Sequence, residues 1–135
     1  MNKKIILSSV LVFVLFLIMD HVLHNVLLAG LYAETASLWR GPGEMRGLLW
    51  IIIAVDLALA VLVTWLFAKG WETGKSWAGQ GLRFGLVLGL LFSLPMGFSM
   101  YAIMPIPFSL GLGWFLGALT EFVIVGLTLA FLFRK

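Results

Sequence analysis

Five ionisable side chains stand inside otherwise apolar stretches of this sequence: Asp20, His21, His24, Asp56 and Glu121. A charge at the middle of a bilayer costs at least about 2.5–3.5 kcal/mol on insertion scales, so such groups persist when paired, hydrated, neutral or functional. Three acids and two imidazoles are the groups that bind a proton or a cation. A second set, Met96, Met100 and Met104, repeats at intervals of four. Together with His21 and His24 these thioethers form a candidate metal set, because thioether and imidazole suit Cu(I). Other chemistry is excluded. With no cysteine there is no thiolate zinc site, iron–sulfur cluster or Cys nucleophile. No Glu-x-x-His pair is present for a di-iron site, and both histidines fall on one predicted helix, so a b-type haem would need a dimer or single-His ligation. No nucleophile–base pair stands out, so no enzyme activity is indicated. The sequence identifies no resident cofactor; Cu(I) or another cation is the one class its side chains suggest.

The elements that must position these groups follow from composition. Of 135 residues, 62% are hydrophobic and 11% charged, against roughly 45–50% and 25% in soluble domains. Four apolar segments, at about residues 5–31, 47–68, 82–104 and 110–133, are each long enough to cross about 30 Å of hydrocarbon. The expected fold is all-α: a polytopic membrane protein, one membrane domain over residues 1–135, built as a four-transmembrane-helix up-down bundle. The first segment reads as a retained helix rather than a cleaved signal peptide, because its apolar run is too long and no small-x-small site precedes Asp20.

Charge orients the bundle. Lys3, Lys4, Lys69, Lys75, Arg83, Arg134 and Lys135 fall on one side, and only Arg40 and Arg46 on the other. Positive charge collects on the cytoplasmic side, so both termini are expected inside, in a bacterial inner membrane. The net charge of +3 thus reports topology and not nucleic-acid binding. Tyr32, Trp39, Trp50, Tyr101 and Trp114 fall at the outer level and Trp65, Trp71 and Trp77 at the inner one, the pattern of interfacial belts.

Depth decides which polar groups can meet. At 1.5 Å per residue, Asp20 lies roughly 22 Å from the cytoplasmic edge, while Asp56 and Glu121 lie roughly 13 and 16 Å below the outer one. All three fall between the midplane and the outer leaflet. His24 lies a turn above Asp20, and Ser99 and Tyr101 reach the upper part of the same layer. The inner half reads as nearly pure Leu, Val, Ile and Phe. A polar pocket of Asp20, His21, His24, Asp56, Ser99, Tyr101 and Glu121, at or near the outer face, is the expectation. The same residues would equally serve as a buried hydrogen-bond network that only joins helices.

Small residues set the packing. Gly81, Gly85, Gly89, Ser93 and Gly97 recur every four residues, and Gly113 and Gly117 lead to Glu121 on one face. Such stripes let helix backbones approach where lipid supplies no hydrophobic drive. Pro95 is expected to kink the third helix beside Gly97. A faint repeat links Asp56 to Lys69 and Glu121 to Arg134, thirteen residues apart in each case.

The Met-x3-Met spacing resembles the pore motif of eukaryotic high-affinity copper transporters, over those few residues only. The segments LWRGPGEMRGLLW, LPMGFSMYAIMPIP and GWFLGALTEF resemble a group of small uncharacterised four-helix bacterial inner-membrane proteins, a resemblance that implies no activity. Two functions are expected. One is binding of a cation or small polar ligand in the outer-half pocket, as in a small transporter. The other is a non-catalytic accessory subunit, whose partners would be the lipid bilayer and either further copies of itself or a larger membrane complex.

Overall fold

A computed structural model describes residues 2–134; Met1 and Lys135, the latter counted among the inner cations, lie outside them. The described chain is helical apart from short connections: α1 (Lys3–Val22), α2 (Ala29–Glu34), α3 (Pro42–Gly70), α4 (Trp77–Leu94), α5 (Met100–Ile103) and α6 (Phe108–Phe133). Four spans, Lys3–Leu27, Pro42–Gly70, Trp77–Ile103 and Phe108–Phe133, are long and apolar enough to cross a membrane.

Local sequence fixes where each helix starts and stops. The Asn2 side chain caps α1 by accepting from the Lys4 N–H, and Ser76 does the same for α4 through Gly79. Pro42 opens α3 at a position where its missing N–H costs nothing. Gly74 supplies the one positive φ, +87°, among the described residues, in the connection from α3 to α4. Pro105 and Pro107 hold the chain off the helical path before α6.

Two spans are not uniform helices. The first runs from α1 into a π turn at Leu23–Leu27, closed by Leu28 N–H donating to the Leu23 carbonyl at 2.9 Å. Leu28 then leaves the helical region, so the 5–31 segment is an interrupted helix followed by the short α2. The third contains a second π turn, Pro95–Ser99, between α4 and α5. Pro95 has no N–H and obstructs the preceding turn; one wider turn accommodates it.

The helices pair as α1 with α3 and α4 with α6, and the pairs join through α6 against α1 and α3. The α4–α6 seam is a backbone contact. A Cβ built on Gly85 would stand 2.5 Å from the Phe122 carbonyl oxygen, and one on Gly81 2.7 Å from that of Gly126. Gly89 faces Leu119, and Gly97 faces Gly111 and Phe115. Gly111 and Gly126 on α6 answer the α4 stripe; Gly113 and Gly117 face instead the side-chain tips of Leu28 and Leu23.

Two apolar clusters fill the bundle. At the end carrying the termini, Val12, Phe16, Val63, Phe67, Phe122 and Leu129 form the larger one. Phe67 lies edge-on to Phe84 and Phe133. Lys4 stands over the Phe133 ring and Arg134 over those of Phe131 and Trp77. At the other end Leu28, Ile106, Leu110 and Trp114 pack with Tyr32, Trp39, Met100 and Met104. The terminal half is less purely apolar than its sequence suggests. Ser8, Ser9 and Thr64 are buried there. The Ser9 hydroxyl donates back to the Ile5 carbonyl at 2.9 Å, the local bond that lets a hydroxyl sit in a helix without a distant partner.

Candidate functional site

Between the two clusters lies a layer of carboxyl groups. Asp20 comes one residue after Met19, which packs on the terminal cluster, and three before Leu23, which packs on the other. Glu121 sits just before Phe122 of the terminal cluster and seven residues after Trp114 of the opposite one. Asp56 heads the buried face of α3 that continues through Ala60, Val63, Thr64 and Phe67. Asp20, Asp56 and Glu121 come from three helices, and their charges are close enough to repel one another.

The layer is short of donors. Asp56 is 8% exposed, and its Oδ2, like Oε1 of Glu121, is buried with no hydrogen-bond partner among the described residues. The hydroxyls of Thr64 and Ser93 are likewise buried without one. No Lys or Arg occurs in residues 5–39, 47–68 or 84–133, and of the two histidines among the described residues it is His24 that lies beside an acid, Asp20. A buried carboxylate without a donor is unfavourable. It must hold a proton, a water or a positively charged guest.

His24 links the layer to the far end of the bundle. Its Nε2 lies 3.8 Å from Asp20 Oδ1, and its Nδ1 lies 2.7 Å from the Tyr32 hydroxyl. That hydroxyl accepts from Trp114 Nε1 at 2.6 Å. An indole N–H only donates, so the phenol oxygen is the acceptor there and its own hydrogen can go to His24 Nδ1. The imidazole proton then sits on Nε2, facing Asp20. Burial pushes the Tyr32 phenol above its usual value of 10, which keeps it a donor. The π turn at Leu23–Leu27 carries His24, and the break at Leu28 returns Tyr32 over it. Trp39 completes the cover, edge-on to Tyr32 and Trp114, with its Nε1 donating to Thr35 Oγ1 at 2.9 Å.

The structure brings Asp20, His24, Asp56 and Glu121 into this arrangement and leaves other candidates outside it. His21 is exposed and pairs with Asn25 at 3.4 Å. Ser99 and Tyr101 are exposed, the latter edge-on to Phe108. Met96 is 38% exposed, whereas Met100 and Met104 pack into the cluster beside Trp114. A π turn adds a residue to one turn and rotates the remainder of the helix, so an i, i+4, i+8 count through Pro95–Ser99 does not keep one face. Among the described residues no three His, Asp or Glu side chains converge tightly enough to hold one metal ion.

Tyr32 and Trp114 are the residues that sequence reasoning assigned only to an interfacial belt. Their signal was spacing: Trp114 is two helical turns from Glu121 on the same face, and Tyr32 is eight residues from His24.

The open side of the layer is lateral. A groove of about 430 Å³ runs between α1 and α6, lined by Ile18, Val22, Leu27, Leu116 and Ile124 among others, with Glu121 and Thr120 as its polar lining. At its edge the side-chain tips of Leu28 and Leu23 seat against Gly113 and Gly117. Comparison with family models, curated proteins and solved structures returns no match to this chain.

Proposed function

We propose that the chain is a small multi-pass protein of a bacterial inner membrane, with both termini cytoplasmic, and that its carboxyl layer binds a cation in exchange for protons, as in a small transporter. One observation carries this reading: three carboxyl groups from three helices share a layer with no Lys or Arg, and two of their oxygens are buried without a donor among the described residues. A network built only to join helices would be expected to satisfy its own members. The apolar surface, with large side chains such as Trp50 at 66% and Leu62 at 60% exposed, supports embedding in hydrocarbon, since soluble monomers rarely show such patches. The excess of Lys and Arg on one side supports the orientation.

The accessory-subunit reading rests on glycine faces that dock foreign helices. The α4 stripe already packs on α6 of the same chain, which favours the cation-binding reading over that one. The test is proton release. Purified protein in weakly buffered detergent, given a panel of inorganic and organic monovalent cations, should acidify the medium, and Glu121→Gln should abolish the signal while keeping the helical content. Silence of the wild type towards every cation would overturn the proposal.

A further inference from the structure

We infer that the guest of this layer is an organic monocation whose charge is carried among apolar groups, and that it reaches Glu121 sideways, from the bilayer, through the groove between α1 and α6. The inference rests on the cation-binding reading above and adds to it the class of ligand and the route.

Three observations lead there. The first is size. The groove holds about 430 Å³, whereas a water occupies about 30 Å³ of liquid and sites for small organic molecules run from about 300 Å³ upward. A bare metal ion would leave most of it empty. The second is the wall. Ile18, Leu27 and Leu116, at 55%, 69% and 51% exposed, form an apolar lining that offers nothing to a hydrated ion. Stripping that ion of water against such walls is expensive. A cation already clothed in alkyl or aryl groups loses little hydration and gains contact area at about 25 cal/mol per Å². The third is the spread of charge. The carboxyl groups repel one another across the layer, yet among the described residues no three acids and imidazoles converge on one point. That pattern suits a bulky, diffuse cation better than a compact one. Asp56, more than nine-tenths buried with an unpartnered oxygen, lies close enough to Glu121 to interact with it electrostatically.

The route follows from the cover over the two ends of the layer. Tyr32, Trp39 and Trp114 cover the layer at one end, tied by the bonds from Trp114 and to His24. Phe16 and Phe122, edge to face at 5.8 Å, cover it at the other. Between α1 and α6 the residues opposite Gly113 and Gly117 are side-chain tips of Leu28 and Leu23, which can rotate aside where backbone cannot.

The experiment is a tetraalkylammonium series, from tetramethyl- to tetrabutylammonium, titrated by calorimetry into the detergent-solubilised protein. Affinity should rise at least about tenfold along the series, because each buried methylene contributes about 0.8 kcal/mol. Thr120→Phe, which places a ring in the groove from an exposed position, should lower tetrabutylammonium affinity at least about tenfold while the helical content is kept. Leu116→Phe is the second blocking variant should the first not fold. Flat affinity along the series, or blocking variants that bind as the wild type does, would overturn the ligand class and the route while leaving cation binding intact. A wild type that binds no cation at all overturns both this inference and the reading beneath it.

Discussion

Helix α6 uses glycine in opposite ways on two of its faces. Towards α4, Gly111 and Gly126 meet backbone: a Cβ on Gly111 would lie 2.8 Å from the Gly97 carbonyl oxygen. Towards α1, Gly113 and Gly117 meet only the ends of leucine side chains, and the space beside them is the groove that leads to Glu121. Glycine closes one seam against backbone and the other against leucine side chains. Contact between helix backbones is how a bundle gains cohesion without a hydrophobic drive from lipid. At Gly113 and Gly117 leucine tips take the place of the missing side chain. The glycines of the α4–α6 seam therefore face atoms that cannot move, and those of the α1–α6 seam face atoms that can.

Substitutions at the two seams should separate them. The largest effect is expected at Gly85, where the obstructing atoms are the Phe122 carbonyl and the Val123 Cα. Neither can move without shifting the helix, and overpacking of this kind costs about 1–3 kcal/mol or more. Gly85→Leu should abolish monodisperse folded protein on gel filtration, and Gly85→Ala should lose about 3 kcal/mol in an unfolding titration. Gly117→Ala, which displaces only the Leu23 tip, should lose under about 1 kcal/mol in the same titration. Equal losses at the two positions would break the contrast.

Next in size is Tyr32→Phe. Its hydroxyl receives the Trp114 N–H and bonds His24, so removal strands the buried Trp114 and the half-buried His24, at about 1–3 kcal/mol. The variant should also quench Trp114 differently, because the indole loses its acceptor. Unchanged stability and fluorescence would show that the cover over the carboxyl layer does not depend on this bond.

The smallest effect belongs to the connection between the two helix pairs. Lys75 and Arg83 hold the Glu72 carboxyl below its usual 4.5, and Gln80 bonds the Glu72 backbone through both ends of its amide, at 2.8 and 3.0 Å. A carboxyl with a lowered folded value stabilises the fold above its unfolded pKa and loses that contribution as pH falls through the folded one. The wild type should therefore lose slightly more Tm than Glu72→Gln between about pH 6 and about pH 3. The exposed, screened setting keeps the difference small. Identical acid profiles would remove this clamp from the account.

Much of this was legible in the residues. The four spans follow from runs of apolar residues, because a stretch of that length and composition has few other stable states. The α4 stripe could be read as a packing face, since intervals of four place small residues in one row of a helix. The carboxyl layer was legible as depth, since rise per residue converts position into height. Azimuth was not. Whether Gly113 and Gly117 receive backbone or side chains depends on which helix stands opposite, and Leu23 and Leu28 lie some ninety residues away in sequence.

The same limit explains the residues that left the pocket. Ser99 and Tyr101 have suitable height, but the π turn at Pro95–Ser99 and the packing of α4 on α6 turn them to the exposed side. His21 and His24 are nearly adjacent in sequence, yet only His24 faces Asp20 and Tyr32. Sequence by itself determined the spans, the height of each polar group and the small-residue rows, all of which are properties of one helix at a time. Tertiary structure alone decided which faces meet, that Tyr32 and Trp114 cover the layer, and that its opening is sideways. Those depend on the rotation of one helix against another, which two π turns and the choice of backbone contacts set and no single-helix period records.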